Sequence, residues 1–313
     1  MGIRRCSVCG AAVELAAAAR TATCAFCDSA LVDDDGSTAV EPVDRVVPFA
    51  VPRARAAALL GAYLAGHWFA PEALRRAARP DELRDVLVPF WVFDAVARTT
   101  FDTSIGIDWY RTQTYTVIVN GKAQTRVRTV RETEWFPLSG SHVRQWTDHL
   151  VSASRGLAER EANALEPYDL GRSRPYADAL VAGVTAEHPT VPRAEAEPLA
   201  RKELAALERR VIAAGHLPGN HHRGFTSQTT CALEPPRLCL LPVWIASVGG
   251  PAGPVRLLVN GQTGEVVGAV PRSWWKIAGV VALVAAAIAA VVGAVAFGGA
   301  VIGVIAAVAE AVR

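Results

Sequence analysis

From Ile277 to Ala309 the chain runs for 33 residues without one charged or polar side chain, built from Ala, Val, Ile, Leu, Gly and Phe297. A bilayer core of about 30 Å needs only about 20 helical residues, so the run is long enough to cross with tilt. A buried core helix would need protein on every side of an uninterrupted apolar surface, and the transmembrane reading is favoured. The Gly298-Gly299 pair offers a re-entrant hairpin, but each arm would be short for a crossing. Ahead of the run stand Arg272, Trp274, Trp275 and Lys276, the mix of indole rings and cations that collects at the headgroup level on the cytosolic side. Beyond it lies only Glu310 to Arg313, and the opening "MGIRRCSVCG" lacks the apolar stretch of a secretory signal. The expectation is a tail-anchored, single-pass protein with about 275 residues in the cytosol.

Cysteine spacing fits that compartment. Cys6, Cys9, Cys24 and Cys27 form two Cys-x-x-Cys pairs, "CSVCG" and "CAFCD", separated by 14 residues. That spacing suits a four-thiolate zinc ribbon, with Gly10 letting backbone amides approach the first knuckle. Disulfides are disfavoured in a reducing cytosol, and a redox dithiol would need a βαβ setting absent here. Four cysteines leave no open coordination position, so the ion is expected to fold the segment and not to catalyse. Arg4, Arg5 and Arg20 are the ribbon's only cations, and "DDDG" at Asp33 to Gly36 would repel phosphates. Contact with protein is therefore favoured over nucleic acid. Cys231 and Cys239 sit in apolar, strand-like sequence and read as buried, inert thiols.

The chain of 313 residues divides into a ribbon (1–42), a body (43–270) and the anchor (271–313). A net charge of +2 names no partner by long-range attraction. In the body, "RARAAALLGAYLAG" places Leu59, Leu60, Tyr63 and Leu64 at helical spacing, and Pro71 opens a second helix. "VPFWVFDAVARTTF" and "WYRTQTYTVIVNGKAQTRVRTVRETEW" then read as strands, with Asn120-Gly121 as a two-residue hairpin turn. That turn predicts Val119 opposite Lys122, Tyr115 opposite Arg126 and Gln113 opposite Arg128. One face would carry Arg111, Tyr115, Lys122, Arg126 and Arg128, a candidate surface for an anionic ligand, either lipid headgroups or nucleic acid. The plainer reading is the solvated face of a half-buried sheet.

From Ser154 to Ala214 the pattern is mostly helical, with Leu204, Leu207 and Val211 as a stripe and Glu197 one turn from Arg201. Strands return as "FTSQTTCAL", "LCLLPVWIASV", "VRLLVN" and "EVVGAV". Pro89 and Trp91 in "VPFWVFDA" match Pro242 and Trp244 in "LPVWIASV", and each strand precedes a "VNG" turn, which suggests a duplicated helix-plus-hairpin unit. The fold class is α+β.

Together, the amino-terminal ribbon, the "PFWVFD" strand, "EPYDLGRSRPYADALVAGVTAE" and "LPVWIASV...RLLVNGQTGEVVGAVPRSWWK" make the chain resemble a family of bacterial zinc-ribbon membrane proteins. The resemblance covers nearly the whole chain. It implies Zn2+ at Cys6, Cys9, Cys24 and Cys27 and placement in the bacterial cytoplasmic membrane. Some members are labelled replication-restart helicases; others resemble adaptors associated with phage-shock-type scaffolds and flotillin-like proteins. It carries over no catalytic residue.

A helicase motor needs G-x-x-x-x-G-K-S/T, and the one Gly-Lys pair, Gly121-Lys122, has neither that spacing nor the hydroxyl residue. His-Glu-x-x-His and Gly-x-Ser-x-Gly are absent as well. His221-His222 in "PGNHHRG" reads as solvent-facing, and Asp94, Asp108, Glu132 and Glu134 read as a polar strand surface more readily than as a catalytic pair. The sequence thus points to a non-enzymatic adaptor that recruits a membrane-associated scaffold protein, with envelope stress implied by the resemblance. The alternative is a membrane-attached nucleic-acid binder using the ribbon and the basic face. Gly299-x-x-x-Gly303 also permits self-association through the span.

Overall fold

Eight consecutive residues, Val86 to Phe93, are buried, and on either side of this segment the body is assembled. The computed structural model describes residues 2–15, 23–27, 29, 31–33, 41–67, 69–248, 255–270 and 278–289. In chain order the elements are β1 (Gly2–Cys6), β2 (Ala12–Leu15), β3 (Leu31–Asp33), β4 (Arg45–Val46), α1 (Arg53–Ala65), α2 (Glu72–Ala77), β5 (Arg84–Val119) and β6 (Lys122–Ser152). Then follow α3 (Glu159–Leu165), β7 (Arg174–Pro175), α4 (Asp178–Val181), β8 (Thr185–His188), α5 (Arg193–Gly215), β9 (His221–Leu233), β10 (Arg237–Val248), β11 (Val255–Asn260) and β12 (Val266–Val267). The architecture is mixed α+β, with a four-cysteine cluster at the amino-terminal end.

The sheet runs β12-β11-β10-β5-β8-β2-β1-β3, with β6 and β9 flanking the later part of β5. The 36 residues of β5 pass through three environments. Its first part is buried on both faces, as a continuous apolar run requires. Val86, Val88, Phe90 and Val92 face a core shared with the cysteines and α3, while Trp91 and Phe93 meet Ala196 and Ala200 of α5. From Ala95 to Ile105 burial alternates, because α5 covers one face, through Ala97, Leu204 and Cys231, and the other stays wet. Past Gly106 the strand continues in the exposed hairpin with β6. A bulge separates the first two zones: pairing shifts between Phe93 and Ala95, Asp148 takes φ +58°, and Arg237 binds both Asp94 (2.9 Å) and Asp148 (3.0 Å).

One hydrogen-bonding arrangement recurs on the two sides of the antiparallel β5–β10 ladder. The Trp91 indole donates to the Val191 carbonyl and the Trp244 indole to the Val51 carbonyl, each at 2.9 Å. The Ala153 amide donates to Pro89 O (3.0 Å) and its carbonyl accepts from Thr190 and Val191; the Gly261 amide donates to Pro242 O (2.8 Å) and its carbonyl accepts from Ala50 and Val51. β4 lies parallel to β10, and β8 lies parallel to β5. The helices that follow, α1 and α5, both begin at the arginine of a "VPRA" segment, residues 51–54 and 191–194.

The α5 stripe differs from its sequence reading. The buried positions are Ala196, Ala200, Leu204, Glu208 and Ile212, spaced by four, while Leu207 and Val211 lie at its flank. A carboxylate holds the fourth of these five positions because Trp146 Nε1 donates to Glu208 Oε1 (2.6 Å) and His142 Nδ1 sits 2.8 Å from Oε2. The expected Glu197–Arg201 pair forms at 3.4 Å, with Arg193 joining it at 2.8 Å.

At the carboxyl-terminal end, residues 278–289 are helical and exposed. Among the described residues no helix is long and apolar enough to cross a membrane. The rest of the Ile277–Ala309 run, and Arg272, Trp274, Trp275 and Lys276, lie outside the described residues.

Candidate functional site

The two knuckles meet at the end of β1. Cys6 closes that strand, and a tight turn follows in which the Gly10 amide donates to Cys6 O (2.9 Å) and the Cys6 amide to Ala11 O (2.8 Å). Gly10 holds φ +78°, a left-handed conformation natural to glycine. The second knuckle turns over residues 25–27, with the Cys24 amide donating to Ser29 O (2.7 Å). Cys6 Sγ lies 3.3 Å from Cys27 Sγ, Cys9 Sγ lies 3.5 Å from Cys24 Sγ, and all four sulfurs fall within 4.8 Å of one another. An ion about 2.3 Å from four tetrahedral sulfurs requires separations of about 3.8 Å, inside that spread, so the donor set fits a thiophilic metal. The Cys9 contact holds the Cys24 thiol down, and the same contact, with burial, pushes Cys9 up. Burial raises Cys27.

This centre faces the body. Cys6, Cys24, Cys27 and Phe26 belong to the core cluster that also holds Val86, Phe90 and Leu241. β2 pairs antiparallel with β8, Val13 opposite Glu187, which joins the ribbon to the main sheet. Arg84 donates to Cys24 O (2.6 Å), and Ser247 to Ala25 O (3.4 Å). Beneath the joint lies Glu187, whose Oε1 accepts from Ser154 (2.6 Å) while Oε2 has no hydrogen-bond partner among the described residues; burial pushes its carboxyl up to about 8.

The other candidate surface is the far end of the β5–β6 hairpin. Its register is the one the Asn120-Gly121 turn predicts, with Val119 opposite Lys122, Tyr115 opposite Arg126 and Gln113 opposite Arg128. Asn120 and Gly121 both take positive φ, +51° and +71°. Arg111, Tyr115, Lys122, Arg126 and Arg128 therefore share a face. The same register adds Trp109, Glu132 and Glu134 to it, and Arg111 is ion-paired with Glu132 at 2.6 Å. Arg128 donates to Gln113 Oε1 (3.0 and 2.8 Å), and its guanidinium lies 5.4 Å over the Tyr115 ring. The face is thus charge-balanced at its base and cationic toward its tip.

The carboxylates considered as a catalytic pair are not brought together as one. Asp94 is held by Arg237; Asp108 accepts from Thr133 (2.7 Å) and faces His221 (3.1 Å) and Arg131 (3.7 Å). The Thr133 hydrogen bond, then His221 and Arg131, keep the Asp108 carboxyl below its usual range. His222 packs edge-on against Phe225. Cys231 and Cys239 are buried, and burial pushes the Cys239 thiol up to about 11. Pattern reading missed three partly or fully buried acids, Glu159, Glu187 and Glu208; the available signal was their position within otherwise apolar helical or strand faces.

No family model matches the chain, and no solved structure matches it. It is 22% identical over 250 residues to the uncharacterized protein YdjG of Bacillus subtilis (strain 168). The match takes in 75% of this chain and 65% of that protein, so it spans less than two thirds of the relative's length.

Proposed function

We propose that this chain is a non-enzymatic adaptor: a zinc-stapled α+β body held at the cytosolic face of a bacterial membrane, where it recruits a protein partner. The observation that carries the non-enzymatic part is the closed tetrad of Cys6, Cys9, Cys24 and Cys27, set against the body core, which leaves a bound ion no open position for substrate. Zinc is the ion that suits four thiolates in a tetrahedral, redox-silent role. The uncharged run from Ile277 to Ala309 supports membrane attachment. Confinement at a surface raises the effective concentration for any partner on the same membrane, which gives recruitment a physical basis without strong contacts. Envelope stress as the setting follows from the family resemblance.

We also read the body as a helix-plus-hairpin unit present twice, on the strength of the paired Trp91 and Trp244 hydrogen bonds and the repeated "VPRA" helix starts. The test of recruitment is affinity capture of the full chain from solubilised membranes, compared with a variant lacking residues 277–309. The same envelope-associated protein, retained only with the full chain, is the expected result. The second reading, nucleic-acid binding, draws on the cationic end of the hairpin. It predicts salt-dependent retention of DNA or RNA that is lost in Arg126→Glu with Arg128→Glu; abundant nucleic acid with both forms of the chain would overturn the adaptor reading.

A further inference from the structure

The β5–β6 hairpin loses its third strand abruptly. β9 pairs with β5 only as far as Gly106, opposite His221, and beyond it, among the described residues, the two strands continue alone to the turn at Asn120-Gly121. The junction is close-packed: the Asn220 amide donates to Gly106 O (2.8 Å), Asn220 Oδ1 accepts from the Asp108 amide (2.9 Å), and Gly219 at φ +91° lies against the Gly106 carbonyl. At about 3.3 Å per residue, the segment from Ile107 to Val119 projects roughly 40 Å. A two-stranded ribbon is marginal in water by itself, and this one exposes large apolar side chains near its tip, Ile118 at 79% and Val127 at 63%. Between Trp109 and Arg131 there is no carboxylate, while Arg111, Lys122, Arg126 and Arg128 share one face. The opposite face of the same stretch has no charge at all: Thr112, Thr116, Ile118, Thr125, Val127 and Thr129 point there.

We propose that this tip docks on an anionic bilayer, with Lys122, Arg126 and Arg128 meeting the headgroups and Ile118 and its neighbours at the turn entering the interface. Charge complementarity selects that occupant over two others. A second copy stacked on the uncharged face would cover about 400 Å² on each chain, roughly 800 Å² in total, which is the scale of a packing contact and not of a stable dimer. A single-stranded nucleic acid would need open aromatic faces along the cationic stretch, and toward the tip the aromatic ring on that face, Tyr115, has the Arg128 guanidinium 5.4 Å over it, while the exposed Trp109 and Tyr110 lie at the base of the hairpin. Lys122 beside the turn, Arg126 and Arg128 behind it on the same face, and the exposed Ile118 on the other face match a surface that is negative outside and apolar within. The proposal rests on the membrane-held reading, because so small a contact acts only at the local concentration that a tether supplies. Its consequence is that the body would be fixed at two points and held in one orientation.

The test uses the full chain carrying Ile118→Cys, reconstituted into phosphatidylglycerol-containing vesicles or pure phosphatidylcholine vesicles. N-ethylmaleimide crosses bilayers but reacts only with thiols exposed to water, and the unsubstituted chain gives the background from the native cysteines. The introduced thiol is expected to react about tenfold more slowly in anionic than in zwitterionic vesicles. Salt at about 0.5 M, or Arg126→Glu with Arg128→Glu, should restore the rate. Equal rates in both vesicle types, while the protein still floats with them, overturn the tip contact and leave the tether standing. Protection that persists in phosphatidylcholine or detergent points to a second copy, and protection that appears only on adding an oligonucleotide points to nucleic acid; either overturns the proposal. Failure to float with either vesicle type overturns the tethered reading and the tip contact with it.

Discussion

Glu159 opens α3 with Oε1 buried and without a hydrogen-bond partner among the described residues, and burial, reinforced by the neighbouring Glu203, pushes its carboxyl up to about 7 from an ordinary 4.5. The folded chain therefore binds a proton that the unfolded chain has released throughout that interval. The associated stability is complete below about 4.5 and is lost as pH rises through about 7. In thermal denaturation from pH 4.5 to 7.5, Glu159→Gln is expected to flatten this part of the decline in Tm; a variant with the wild-type slope would show that Glu159 is solvated. Such acids are hard to read from sequence because an acid by default is assigned to water. Glu208 shows why: the donors that make its burial tolerable, Trp146 and His142, stand 62 and 66 residues away and come into reach only when α5 packs on β6. The cysteines are the opposite case, since their pairing is written in local spacing.

At the scale of elements, the two indole hydrogen bonds tie each central strand to the start of a helix. Trp91→Phe keeps the ring in its pocket but leaves Val191 O short of a donor, and Trp244→Phe does the same to Val51 O. Each should cost about 1 kcal/mol in denaturant unfolding, and the two costs should match; a silent Trp244→Phe beside a costly Trp91→Phe would break the equivalence of the two sides. The β5–β6 register was legible because two residues of positive φ fix it locally. The unbroken length of β5 was not, because its pattern changes from continuous to alternating to exposed as its coverage changes, and each zone by itself resembles a separate strand. Nor was the β2–β8 joint, whose partners lie about 175 positions apart and include a buried glutamate.

For the molecule as a whole, the sulfurs sit in the same cluster as Val86, Phe90 and Leu241, so a metal held by them and the body should melt together. Chelating the ion, or Cys24→Ser, is expected to lower the Tm of the entire β signal in one transition, by about 5 °C or more; a body whose Tm is indifferent to metal would mean that the ribbon folds separately. What the molecule does with this rigid body depends on where it is held. That is decided by washing membranes from cells expressing the full chain, or the variant lacking residues 277–309, with alkaline carbonate, which strips peripheral proteins. The account predicts that the full chain stays in the pellet and the shortened one is released. A full chain recovered in the supernatant, or two forms that partition alike, would contradict it.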